Sequence, residues 1–348
     1  MIDVDGSYFE GGGQILRTAV ALSAITNNSV HIFNIRKGRD KPGLRPQHLH
    51  GIAAAGQICD AKIDGLKMNS TEMTFVPGKI KGGKYEIDAR TAGSVTLILQ
   101  TLVPIGVCVS APLELTVRGG TAVPFSPTIG YFLHVFLPIL KMIGVALEIE
   151  VRRHGFNPGG GGEVCVKIFP SDLKSLSMKD RGEPEEVRVW SCASRHLKDA
   201  KVGERMVGGF NRVIEDVDAQ CQYVDAVSPG CFITACARYS NGVLGAGALG
   251  KRGTPAEQVG MEAANNLREA IDSYASVDEW MVDQLIPFMA LAANSTSAAS
   301  EVRVPLMTKH AQTSIWVVQK FLPVEFAGDN NVLSCRKASM AMGSNLNT

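Results

Sequence analysis

The spacing of apolar residues divides the chain into short strands and amphipathic helices. Residues 1–5 alternate as a strand does, and Gly11-Gly12-Gly13 opens a helix to about Ile25, with Ile15, Ala19, Leu22 and Ile25 on one face. Val30–Ile35 predicts a second strand. Pro46–Cys59 predicts a second helix burying Leu49, Ile52 and Ile58, and two short strands follow near Ala61–Ile63 and Thr71–Phe75. The same order then recurs. Tyr85–Asp88 is a strand, Ala92–Ile105 a helix and Leu113–Val117 a strand. Ser126 is placed to cap a helix that begins at Pro127, and Ala146–Val151 and Glu163–Phe169 pair across a glycine-rich connection. A third copy closes the chain: helix Val277–Ala293, strand Glu301–Val304, helix His310–Phe321, and strands Val324–Phe326 and Val332–Cys335.

Self-similarity at a period of about 80–90 residues predicts an α/β (α+β) fold of three βαβαββ repeats. The third copy is interrupted, because its first strand is expected at Val187–Trp190 and its first helix only at Val277. The interval carries its own pattern: helix Lys198–Val217, strands Gln222–Val227, Cys231–Tyr239 and Val243–Gly247, and helix Pro255–Tyr274. Asn241-Gly242 forms a hairpin signal between two of those strands. The expected organisation is a large domain of residues 1–185 and 277–348, with residues 186–276 as a small inserted α/β domain.

Composition narrows the functional class. The 348 residues carry a formal net charge of +1, so no global basic field drives non-specific binding to nucleic acid, and any such contact must be local. Eight scattered cysteines show no C-x-x-C spacing, which fits reduced thiols inside a cell better than disulfides or a zinc site. The charged start Met1-Ile2-Asp3-Val4-Asp5 does not read as a signal peptide. The uncharged windows Ser94–Leu113 and Gly119–Leu140 contain Gln100, Pro104, Pro112, Pro124, Pro127 and His134, and suit a buried core rather than a membrane.

Against this neutral background, Arg36–His50 packs five cations and two histidines around one acid, Asp40. Pro42-Gly43 makes a turn in the middle. The helix that starts at Pro46 aims free N–H groups at the same place, so the run reads either as a phosphate site or as a solvated basic loop. Gly11–Gly13 and Thr91-Ala92-Gly93-Ser94 occupy corresponding strand-to-helix junctions, with Arg17 two turns into the first helix. Gly245–Arg252 approaches a P-loop but has Arg252 where a magnesium-binding Ser or Thr is needed, and it follows a hairpin. His310 lies at a helix N-terminus, where the neutral imidazole is favoured over the cation; a backbone-bonded histidine is the plainer alternative. Asp283 and Gln284 interrupt an otherwise apolar helix.

Taken in order, Glu10-Gly11-Gly12-Gly13-Gln14-Ile15-Leu16-Arg17, Arg36-x-Gly38-Arg39-x-x-Pro42-Gly43-Leu44-Arg45-Pro46-Gln47-His48, Thr91-Ala92-Gly93-Ser94 with Gln100, Gly159–Glu163, Leu249–Gly253, Asp283-Gln284 and His310-x-x-Thr313 resemble the RNA 3'-terminal phosphate cyclase family. The Arg45-Pro46-Gln47-His48 form, the Ser70–Phe75 run and the Lys251-Arg252-Gly253 run are more similar to eukaryotic members. The resemblance implies ATP-dependent conversion of an RNA 3'-phosphate to a 2',3'-cyclic phosphodiester through a covalent histidine–AMP, with RNA ends and ATP as partners and Mg2+ accompanying the nucleotide. On matching positions it implies His310 as nucleophile through Nε2, acting as a neutral imidazole without a separate base. Gln100, Pro127, Trp280, Asp283 and Gln284 would line the ATP site, and Glu10, Arg17, Arg36, Arg39 and Gln47 would contact phosphates and the RNA end. No protein metal ligands are implied. Trp280 departs from the family's usual tyrosine; it can stack on adenine but donates through N–H. Residence in the nucleus is implied by the eukaryotic resemblance alone, with the cytoplasm as alternative.

Three other classes compete. A catalytically inactive cyclase-like protein acting in ribosome biogenesis would lack the histidine nucleophile. A carboxyvinyl transferase would need six repeats, and a non-catalytic RNA-binding module would need more charge and more exposed aromatics.

Overall fold

A computed structural model describes residues 1–296 and 298–339. The C-terminal end of the expected 277–348 segment therefore lies outside the described residues. The first sheet takes the order β1-β2-β4-β3, from β1 (Ile2–Asp5), β2 (Val30–Phe33), β3 (Lys62–Asp64) and β4 (Met73–Val76). Helices α1 (Gly13–Thr26) and α2 (Pro46–Cys59) connect these strands. β1 and β2 are parallel, and the other pairs antiparallel. Left-handed backbone at Asn34 and Arg36 ends β2 two residues before Ile35, where the sequence pattern placed its end.

The second sheet has the same order and directions: β5 (Gly83–Asp88), β6 (Leu113–Gly119), β7 (Leu147–Arg153) and β8 (Gly162–Ile168), arranged β5-β6-β8-β7. Helix α3 (Val95–Val107) begins after Ser94, whose hydroxyl accepts from Leu97 N. The next helix differs from expectation. Its cap is Thr128, accepting from Tyr131 N at 3.1 Å, and not Ser126. Ser126 Oγ is already spent on Val123 O, and Pro127 O accepts from Thr96 Oγ1, so both residues stay in the loop. The helix runs as α4 (Ile129–Tyr131), a π-helical turn (Phe132–Phe136) and α5 (Leu137–Met142).

The two-residue strand β9 (Ser177–Met178) begins the third such sheet, not Val187–Trp190. Those four residues lie inside β10 (Pro184–Ser194), whose edges are both taken, by β11 (Asp218–Val224) in parallel and β12 (Cys231–Tyr239) antiparallel. With β13 (Gly242–Leu249) these form a separate sheet, β11-β10-β12-β13. Helix α6 (Val202–Asn211) is half the length of the expected Lys198–Val217. Left-handed Lys201 and Asp216 bracket it, and β11 accordingly starts earlier than Gln222. Helices α6 and α7 (Ala256–Asp272) cover one face of this sheet, around Val189, Met206, Phe210, Leu244 and Leu267. The other face joins the main core through Cys192, Phe232 and Cys236, so β12 is buried on both sides without a break from residue 231 to residue 237.

Helix α8 (Glu279–Ser295), β14 (Ser300–Arg303), α9 (Lys309–Phe321), β15 (Val324–Asp329) and β16 (Val332–Lys337) complete the described chain. β14 pairs with β9 in parallel and with β16 antiparallel, and β16 pairs with β15, which repeats the pattern of the first two sheets. Among the described residues no helix is long and apolar enough to cross a membrane.

Two glycines let α6 and α7 touch along their backbones. A Cβ at Gly260 would lie 1.9 Å from Met206 O, and one at Gly209 would lie 2.0 Å from Glu257 O. Backbone cannot yield as a flexible side chain can. Gly260→Ala is therefore expected to destabilise the fold by about 3 kcal/mol, the upper part of the usual range for overpacking, as measured by chemical denaturation.

Candidate active site

The first turns of α1, α2 and α9 meet in one place. α1 begins after Gly12, which supplies no side-chain cap, so its first N–H groups remain open toward the site; α2 begins at Pro46, which has no N–H, and its start is closed by the Arg45 backbone N–H donating to His48 Nδ1. α9 is capped by Thr308 accepting from Ala311 N, which fixes His310 in its first turn.

Both ring nitrogens of His310 are engaged by the loop that leads into α1. Gln14 Nε2 donates to the His310 carbonyl at 2.6 Å and to Ser314 Oγ. Since only an NH2 can donate to a carbonyl, the amide's Oε1 must be the atom facing His310 Nδ1, which it contacts. Nδ1 therefore carries the proton. On the other side, Glu10 Oε2 lies 2.9 Å from Nε2. A carboxylate thus stands against the nitrogen expected to attack, which places Glu10 on the histidine. Arg39, 3.8 Å from the same carboxylate oxygen, gives Glu10 a second partner.

Behind this pair lies a buried charge cluster. Burial pushes the Asp283 carboxyl up to about 6, against the opposing influence of His310 and Arg17. Burial lowers Arg17 to about 10, which leaves it cationic at neutral pH. His48 is driven down to about 3 by burial and by Arg17, Arg36 and Arg45, so it is neutral. Its Nδ1 accepts from Arg45 N at 3.1 Å, and Nε2 comes so close to Gly13 that a Cβ there would sit 2.3 Å away. Arg17, Gln14, Gln100, Asp283 and Gln284 line a cavity of about 30 Å³, enough for a water and far too small for a nucleotide.

The remaining expected residues fall into three groups. Gln100 Nε2 donates to Gln284 Oε1 at 2.8 Å, and Gln284 Nε2 to Trp280 O at 2.6 Å, so these three are joined at the cavity's rim. The Trp280 side chain is 59% exposed. Pro127 is tied through its carbonyl to Thr96, one turn from Gln100 on α3. Arg36 donates to Lys41 O and Gly43 O, which shapes the basic loop, and Gln47 lies half-buried in the first turn of α2. Gly245–Leu249 belongs to β13, so the P-loop context is absent there.

Sequence reading passed over Gln14 and His48, although both stand inside the quoted motifs. The signal available was their placement: a polar residue on the buried face of α1, and a histidine two residues after the proline that opens α2. Among the described residues no group of three or more His, Cys, Asp or Glu converges to hold a metal ion.

Residues 8–327 match the family described as RTC, RNA 3'-terminal phosphate cyclase. The chain belongs to the RNA 3'-terminal phosphate cyclase family. It is 43% identical over 333 residues to the RNA 3'-terminal phosphate cyclase of Methanosarcina barkeri, covering 94% of this chain and 96% of that protein. Against the same-named protein of Methanopyrus kandleri it is 43% identical over 336 residues, covering 93% and 94%. Against that of Thermococcus kodakarensis it is 41% identical over 338 residues, covering 95% of each. This family identifies the chain as a ligase-type enzyme. The relatives are archaeal, and nothing in them supports the eukaryotic subtype or the nuclear location.

The Asp283 carboxyl sets a pH signature. Its ordinary value is 3.8 and its folded value about 6, so between these the folded chain holds a proton that the unfolded chain has released. Stability contributed by this group therefore falls as pH rises across that window, and levels off above it. Asp283→Asn removes the slope. The stability of the variant relative to wild type is expected to increase from pH 4 to pH 6.5, read by urea denaturation at each pH.

Proposed function

We propose that the protein converts an RNA 3'-terminal phosphate to a 2',3'-cyclic phosphodiester with ATP as co-substrate, through an adenylated His310. The observation that carries this reading is the Gln14 amide, which commits Nδ1 to holding a proton and leaves Nε2 as the nitrogen free to become a nucleophile. Family membership supports the substrate class.

Glu10 first takes the proton from Nε2 and turns toward Arg39, which exposes the lone pair. Nε2 then attacks the α-phosphorus of ATP; the N–P bond forms as the bond to pyrophosphate breaks. Gln14 Oε1 accepts the Nδ1–H of the resulting cationic imidazole and stabilises it. The RNA 3'-phosphate next displaces His310 from the adenylyl group. In the last step the vicinal 2'-hydroxyl attacks the 3'-phosphorus, loses its proton, and expels AMP. Arg17, Arg36, Arg39 and the open N-terminus of α1 supply positive charge where the phosphates gather, which is most of what such transfers require. Trp280 offers its exposed face to the adenine, with Gln100 and Gln284 beside it and Pro127 on the neighbouring loop. Mg2+ would travel with the nucleotide and neutralise its phosphates; among the described residues no cage of protein ligands is at hand.

We read the domain organisation in the same terms. The three sheets of matching order and direction support three βαβαββ copies, forming a large domain of residues 1–185 and 277–348. The separate apolar cluster under α6 and α7 supports residues 186–276 as an inserted unit. A catalytically inactive, ribosome-assembly role has nothing to recommend it here, since the histidine and the groups on both its nitrogens are in place.

With ATP labelled in its α-phosphate, the wild-type protein is expected to form an acid-labile, alkali-stable protein–AMP adduct. Full labelling of a His310→Ala variant would sink the assignment. Gln14→Leu leaves the ring unoriented and should slow adduct formation about 10- to 100-fold. Glu10→Gln cannot take up the proton and should slow it about 100-fold. An adduct formed at the wild-type rate by Glu10→Gln would exclude Glu10 as the acceptor.

A further inference from the structure

The loop that carries Glu10 breaks its own conformational rule at one position. Gly11, with φ +55°, takes left-handed backbone with a glycine, as such a turn favours. Phe9, two residues earlier, takes φ +48° with a bulky aromatic, where an L side chain is disfavoured. Folding gains little from that side chain in return, since Phe9 is 52% exposed. The rest of the loop is held firmly. Gly11 N donates to Tyr8 O, Tyr8 stacks on Trp316 of α9 at 4.0 Å and 11°, and the Phe9 ring stands edge-on to Tyr8 at 4.5 Å and 71°. Lys320 lies over the same Trp316 ring at 4.6 Å. The aromatic run thus joins the helix that bears His310 to the residue next to Glu10, and ends in a ring that water reaches.

We propose that Phe9 is a stacking ledge for the base of the RNA's 3'-terminal nucleotide. The inference rests on the reaction proposed above, which brings an RNA 3'-phosphate to His310 Nε2, the atom that Glu10 contacts. Phe9 directly precedes Glu10 in the chain, so its Cα lies one residue, about 3.8 Å, from that of the residue in contact with Nε2. Every base offers a π-face, so an aromatic ledge grips the end of the chain without selecting its sequence. The phosphates are served by the arginines; what they leave unserved is the flat apolar base. The adenine of ATP has a different candidate, Trp280 on α8, joined to Gln284 and Gln100. Phe9 belongs to the opposite set of contacts, through Tyr8 to α9.

The test compares wild type, Phe9→Gly and Phe9→Trp. Glycine suits the left-handed backbone, so Phe9→Gly is expected to fold at least as well as wild type. Binding of a fluorescent 3'-phosphorylated oligoribonucleotide, followed by anisotropy, needs no turnover and so reads the ledge even if the proposed reaction fails. That failure would be seen separately, as absence of the protein–AMP adduct and of cyclic ends in wild type. Phe9→Gly should weaken RNA binding about tenfold, and Phe9→Trp should restore it. An oligonucleotide whose terminal nucleotide is abasic should bind wild type about tenfold more weakly and lose nothing further with Phe9→Gly. Equal affinity of wild type and Phe9→Gly for the intact RNA would overturn the proposal. So would a loss that falls instead on adduct formation from ATP alone, because Phe9 would then be seating adenine.

Discussion

A single amide decides what His310 can do. Gln14 donates to two acceptors on α9, the His310 carbonyl and Ser314 Oγ, so its remaining oxygen has one orientation open to it, toward Nδ1. An imidazole whose Nδ1 is held as a donor can lose a proton only from Nε2. Chemical identity is thus passed from α1 to α9, from near the start of the chain to near its end, through three hydrogen bonds. The packing of α1 against α9 therefore decides which ring nitrogen of His310 holds the proton.

The electrostatics follow from where this amide sits. Concentrating Arg17, Arg36 and Arg45 around the neutral His48, with Arg39 beside Glu10, would be unfavourable without relief, and the relief is arranged unequally. Arg36 is stitched to the carbonyls of its own loop, and Arg39 has Glu10 within 3.8 Å. Arg17 senses Asp283 only through space, and among the described residues it has no carboxylate within ion-pair distance. His48, buried among these cations, stays neutral, so it adds no further charge while its ring fills the gap against Gly13. The site keeps positive charge available to an anion while net charge over the whole chain is only +1.

Periodicity made most of the large sheets legible. α2 spans the residues its apolar spacing indicated, and proline at its first position marks its start. What escaped was set by tertiary pairing. Val187–Trp190 has the composition of an edge strand but lies at the centre of β10, while the two-residue β9 that takes its expected place is too short to show any period. Ser126-Pro127 looked like a helix start, and only the bonds from Ser126 to Val123 and from Thr96 to Pro127 hold those residues out of it. In the site, charged residues drew notice because charge is rare in an apolar context. Gln14 drew none, since an uncharged amide on the buried side of a helix looks like a tolerated polar residue until its partners are known.

The junctions preceding α1 and α3 show how the same turn can serve stability or chemistry. Each follows the first strand of a sheet and opens the helix leading to that strand's parallel neighbour. At α3 the cap is Ser94, whose hydroxyl accepts from Leu97 N and closes the helix end upon itself. At α1 the cap is Gly12, which accepts nothing through a side chain, and His310 and Arg39 lie within 4 Å of where a Cβ would be. A serine there would satisfy the helix end with its hydroxyl; a glycine leaves the N–H groups unsatisfied. An uncapped helix end costs about 1 kcal/mol relative to a good cap. The fold accepts that cost where the positive end of α1 faces His310 and avoids it at α3, where the serine hydroxyl is buried. The missing cap, more than the glycine count, separates the turn that faces His310 from its structural counterpart.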